Sequence, residues 1–170
     1  MSTIEFGLML QPFPTNFPGP ELFEYNRRLI RTLSQGFTTL WAEDHLQLGE
    51  TATHECMTTL SYFAGEFLQF RVGSLVLCQS YRNPALVAKM AANLQLLSGG
   101  RFILGLGAGW KEDEYEAYGY PFPDTKTRLE ELEEGELERF HEVGVTHFMF
   151  RFLDPESLER FVQTVVPHFL

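Results

Sequence analysis

The stretch "RVGSLVLCQSYRNPALVAKMAANLQLLSGGRFILGLGAGW", residues 71–110, decides the fold. It opens within a near-continuous apolar run, 70–78, the pattern of a strand buried on both faces. A helix is predicted over 83–100, with Asn83 as N-cap, Pro84 at the first helical position and Gly99-Gly100 at the close. A second apolar run, 101–110, ends in a glycine turn. Strand, helix and strand in this order make a βαβ unit, and βαβ units build parallel sheets.

The same alternation continues on both sides. "IEFGLML" (4–10) reads as a strand, and "ELFEYNRRLIRTLSQG" (21–36) as a helix with Leu22, Tyr25, Leu29 and Leu33 on one face. "TTLWAEDH" (38–45) reads as a short strand ending in charged groups, and 54–67 as a helix. "VTHFMFRF" (145–152) is the last strand, and 154–169 a helix with Asp154 as N-cap and Pro155 at its first position. Five parallel strands result. Right-handed crossovers put all their C-terminal ends on one face, where α/β proteins bind ligands. That face receives the loop 11–20 and five groups of residues: Gln11, Glu43-Asp44-His45, Cys78 to Arg82, Gly107-Ala108-Gly109-Trp110, and Arg151.

Bulk composition narrows the function classes. The 170 residues suit one domain with a sizeable core, and sixteen Phe point to an aromatic core or interface. A net charge of −10 without a basic run argues against nucleic-acid or anionic-membrane partners. The N-terminus lacks the pattern of a signal peptide, and no apolar run is long enough to span a bilayer. Cys56 and Cys78 alone do not make a disulfide framework. The expectation is a cytoplasmic protein.

Three polar groups directly after a buried strand, Glu43-Asp44-His45, are hard to explain by packing. His45 can give or take a proton near neutral pH, and a neighbouring carboxylate can fix its tautomer. The plainer alternative is Asp44 as a loop cap and His45 as a solvated loop residue. "GLGAGW" lacks the Lys-Ser/Thr of a P-loop and the glycine spacing of a dinucleotide fingerprint. Its small residues either admit a flat ligand to the backbone or make a tight strand-to-helix turn. Arg82 either holds an anion or pairs with nearby carboxylates. The histidines at 54, 141, 147 and 168 show no metal-ligand spacing, so no metal site is expected.

The segments "LWAEDH", 71–110, "EYEAYGYPFP" and "RLEELEE", with "GVTHFMFRFLDPESLERFVQTVVPHF" at the C-terminus, resemble the luciferase-like flavin-dependent oxidoreductases, including their coenzyme F420-dependent branch. The resemblance implies parallel βα units of a (β/α)8 barrel that binds FMN or F420 at the strand C-termini. Reduced flavin then serves monooxygenation, or hydride passes between a small organic substrate and deazaflavin. By the same resemblance, Asp44 and His45 match the catalytic pair beside the ring system. Ser74, Leu75 and Val76 match a strand segment where the family often has a non-prolyl cis peptide and a bulge. Gly107, Ala108, Gly109 and Trp110 match a loop along the cofactor. Trp110 stands where some F420 dehydrogenases carry a catalytic glutamate.

Measured against eight barrel strands, five imply an internally shortened, open barrel. In this reading one domain fills 1–170, with the first four βα units in 1–134 and the last in 135–170. Leu129, Leu132, Leu137, Phe140 and Val143 share one helical face across the join, so one helix is predicted over 127–143. The unclosed sheet implies a homodimer, and the missing units imply weak cofactor binding for want of phosphate anchors. Two function classes follow: a shortened oxidoreductase, or a non-catalytic flavin-binding or assembly remnant.

Overall fold

The computed structural model describes residues 4–12, 19–49, 51–133, 155–164 and 166–168. Its main sheet has four parallel strands in the order β1 (Phe6–Met9), β2 (Phe37–Ala42), β5 (Arg71–Ser74), β7 (Phe102–Ile103). Chain order and sheet order agree, as successive βα units require. Two short strands, β6 (Leu77–Cys78) and β8 (Leu106–Gly107), pair in parallel beyond β5 and β7. Each predicted strand of the 71–110 unit is therefore broken in two. In the first the break falls at Leu75 and Val76, whose peptide is cis.

Leu8, Leu40, Val72 and Phe102 lie side by side in register and face the helices. They pack against Ile30 of α1 (Gly19–Arg31), Leu60 and Phe63 of α2 (Cys56–Glu66), and Val87, Ala91 and Leu94 of α3 (Pro84–Leu97). Met9, Trp41, Gly73 and Ile103 form the row on the opposite face. There the Trp41 ring lies across both neighbouring strands, and a Cβ at Gly7 or Gly73 would come within 2.3 or 2.5 Å of it.

Helix ends follow local chemistry. Asn83 Oδ1 accepts from the amides of Ala85 and Leu86, as expected of an N-cap. Glu55 caps α2 in the same way, on the amides of Met57 and Thr58. Arg101 binds the carbonyls of Ala64, Phe67, Phe70 and Ser98, tying the C-terminal ends of α2 and α3 together.

Two features lie outside the sequence reading. An antiparallel pair, β3 (Gln47–Leu48) and β4 (Thr51–Ala52), follows β2. Helix α4 (Glu112–Tyr118) follows the glycine turn and ends at Gly119. Of the predicted helix 127–143, the first part is α5 (Thr125–Glu133), and the join lies outside the described residues. So does the predicted strand 145–152, while α6 (Pro155–Thr164) occupies part of the predicted C-terminal helix. Among the described residues no helix is long and apolar enough to cross a membrane.

Candidate functional site

The C-terminal ends of β2, β5–β6 and β7–β8 meet on one rim, and residues 43–48, 75–82 and 107–118 build it. Asp44 and His45 are adjacent in sequence but enter separate networks. Asp44 is buried, and its two oxygens take a bidentate pair from Arg82 at 2.7 and 2.8 Å. The Cys78 amide also donates to Asp44, at 2.8 Å. A third bond from Arg82 reaches the cap residue Glu55 at 2.5 Å. Burial opposes the charge on Arg82, but the carboxylates of Asp44 and Glu55 outweigh it and raise its affinity for the proton. Arg82 thus pairs with carboxylates, the second of the two roles open to it from sequence.

His45 turns the other way. Its Nδ1 lies 2.9 Å from Glu114 Oε2, on the first turn of α4. Glu114 is fully buried and accepts three further bonds: from the Leu46 and Gln47 amides at 2.8 and 3.0 Å, and from the Tyr81 hydroxyl at 3.0 Å. Burial, then Cys78 and Glu114 nearby, pushes Tyr81 well above its ordinary range, so its hydroxyl remains a donor. With Glu114 ionised, Nδ1 must carry a proton. The other ring nitrogen, Nε2, has no hydrogen-bond partner among the described residues. Trp110, 59% exposed, stands edge-on to the His45 ring with centroids 6.1 Å apart. The carboxylate that meets His45 is therefore Glu114, not its sequence neighbour Asp44.

The remaining sequence-predicted residues divide by exposure. Ser74 is fully buried, and its Oγ both donates to the Gly105 carbonyl at 2.9 Å and accepts from the Gly105 amide at 3.0 Å. Gly107 is buried against Val76, and a Cβ there would come within 2.5 Å of Val76 Cγ2. Gly109, at φ +73°, packs on Tyr115 and Cys78. Both glycines serve a tight turn over the protein itself. Leu75, Val76 and Ala108 are half-buried at the same strand ends, and Trp110 is the apolar side chain seen beside the His45 ring.

Two residues of these networks escaped the sequence reading: Glu114 and Glu55. Glu114 sits in an acidic run, Glu112-Asp113-Glu114, at a helix start, and such runs ordinarily face solvent and complement the helix dipole. Among the described residues, no group of three or more His, Cys, Asp or Glu is placed to hold a metal ion.

The profile of the luciferase-like monooxygenase family matches residues 4–163. The chain belongs to that family. A 4-hydroxyprotoasukamycin monooxygenase from Streptomyces nodosus subsp. asukaensis is 31% identical over 77% of this luciferase-like chain. An F420-dependent glucose-6-phosphate dehydrogenase from Amycolatopsis mediterranei is 32% identical over 68% of it. The chain spans 36% and 35% of those two relatives. Among solved structures, the oxygenating constituent of 3,6-diketocamphane monooxygenase from Pseudomonas putida, in complex with FMN, superposes with a TM-score of 0.61 at 16% identity. It shares the fold over 84% of this chain and 38% of its own.

Proposed function

We propose that this luciferase-like chain is a flavin- or F420-dependent oxidoreductase or monooxygenase acting on a small organic molecule. The observation that carries the reading is the Nε2 of His45, on the strand-end rim beside Trp110 and without a hydrogen-bond partner among the described residues. Leu75, Val76, Ala108 and Trp110 would line a flat ring, with Ser74, Gly107 and Gly109 shaping the strands and the turn beneath them. A bound FMN or F420 supplies hydride transfer or the electrons for monooxygenation. His45 takes or gives a proton at Nε2, and the buried Glu114 carboxylate balances the charge. Asp44 belongs to the site by holding its wall, through Arg82.

A homodimer and a cytoplasmic setting belong to the same proposal. Leu86, Leu96 and Leu97 of α3 are exposed apolar residues that a second copy would cover. Both cysteines are free, which suits a reducing compartment. The absence of a basic run, at net charge −10, supports small-molecule rather than nucleic-acid partners.

The test is titration of FMN and of F420, followed by turnover assays on wild type and His45→Ala. Binding is expected to be weak, because each missing charge-assisted phosphate contact is worth about 1.5–3 kcal/mol. His45→Ala should lower turnover by about 10²–10⁴-fold. A second reading has its own support: a chain spanning about a third of its relatives' length suits a non-catalytic flavin-binding or assembly module. Failure of wild type to bind either cofactor at high micromolar concentration would replace the first reading with the assembly module, and binding without turnover would replace it with the flavin-binding one.

A further inference from the structure

We propose that Glu114 is the positioning residue of the site, fixing His45 in the tautomer that leaves Nε2 as the working nitrogen. The inference rests on the reading of His45 as the proton-transfer group. A neutral imidazole has one N–H and one bare nitrogen, and which is which follows the partner of either one. Here the partner of Nδ1 is a carboxylate, an acceptor only, at 2.9 Å. Nδ1 is therefore the N–H, and the lone pair falls to Nε2.

The carboxylate is held so that it cannot turn away. Leu46 and Gln47 amides occupy Oε1, while the Tyr81 hydroxyl shares Oε2 with His45. The two amides are the residues directly after His45, so one side chain fixes both the imidazole and the backbone that carries it. When Nε2 takes a proton, the imidazolium lies against the buried carboxylate. When Nε2 gives it up, the original tautomer returns without rotation of the ring.

Glu114→Gln separates this role from anchoring. The amide oxygen still accepts from Leu46 and Gln47, but the amide nitrogen now donates toward Nδ1 and forces the proton onto Nε2. In a serine-protease triad the equivalent carboxylate-to-amide change lowers kcat about 10⁴-fold through the wrong tautomer.

The primary readout is ¹⁵N NMR of histidine-labelled chain without cofactor, at a pH where His45 is neutral. Wild type should show a protonated Nδ1 and a bare Nε2, and Glu114→Gln the reverse. Glu114→Asp should restore the wild-type signature. Where turnover is measured, Glu114→Gln should lower kcat about 10²–10⁴-fold with KM little changed. A wild-type His45 protonated at Nε2 overturns the proposal by itself, even should the variant fail to fold. A folded Glu114→Gln with an unchanged tautomer does so too. The NMR readout needs no cofactor, so failure of FMN and F420 to bind would count against the oxidoreductase reading alone.

Discussion

Asp44 and His45 leave the same strand one residue apart, yet their surroundings differ in one respect that separates structure from chemistry. Around Asp44, its contacts close on protein: Arg82 and the Cys78 amide hold the carboxylate, and Arg82 continues to Glu55. Around His45, Glu114 is equally saturated, but one imidazole nitrogen has no hydrogen-bond partner among the described residues. A closed network joins elements, here β2, β6 and the N-cap of α2. An open one can exchange a proton. The polar cluster after β2 is thus two devices, and its charge count alone does not reveal the division.

The largest expected effect tests the closed network. Arg82→Met removes the cation and leaves Asp44 buried without compensation, so stability should fall by about 3–5 kcal/mol. Urea unfolding measures it, and Arg82→Met with Asp44→Leu should recover part of the loss because no charge remains uncompensated. A loss below about 1 kcal/mol, the range of an exposed pair, would break the contrast, since Asp44 would then be no better held than a surface carboxylate.

A smaller effect reaches the open network from beneath. A Cβ at Gly109 would fall 1.9 Å from the Tyr115 hydroxyl and 2.8 Å from Cys78 Sγ, at φ +73°. Overpacking and a strained left-handed residue together should cost about 2–4 kcal/mol in Gly109→Ala. Gly119 has the same φ but no atom within 4 Å of its Cβ position, so Gly119→Ala isolates the backbone strain, about 1 kcal/mol. Equal losses by thermal unfolding would mean that the 107–110 glycines are not there for packing. They would return to the role of admitting a flat ligand.

Much of the frame was legible because local rules act over short spans. Asn83, Pro84 and the glycine pair delimit α3, and the alternation of apolar runs gives the parallel strands in chain order. Arg101 is of the opposite kind: three of the four carbonyls it holds, those of Ala64, Phe67 and Phe70, lie far from it in sequence. Partners distant in sequence were not legible. His45 meets a carboxylate 69 positions away, and no periodicity selects Glu114 over Glu112 or Asp113. The neighbour in sequence, Asp44, was the natural partner to expect, but the direction of a side chain leaving a strand end depends on the elements that arrive there. The Glu55 cap was hidden for a related reason, because Glu is not among the preferred N-cap types.

The smallest effect concerns the edge of the closed network, where Glu55 joins Arg82 to α2. Burial favours the neutral acid, but the Thr58 contacts and Arg82 outweigh it and hold Glu55 below its ordinary value of 4.5. A carboxylate depressed in the folded chain adds stability that is fully present above its unfolded value. That stability is lost as pH falls through the lower, folded value. Wild type should therefore weaken on acidification below about pH 4.5, and Glu55→Gln should show a flatter dependence across that window. The Glu55 side chain is 37% exposed, so water screens the pair and the difference should stay under about 1 kcal/mol. Urea midpoints at several pH values measure it. Asp44 lies deeper in the same network and keeps Arg82 in place, so the Glu55 change should not spread to the β2 end. A steeper dependence in Glu55→Gln than in wild type would reverse the sign and show that Glu55 competes with Asp44 for Arg82 instead of extending its hold.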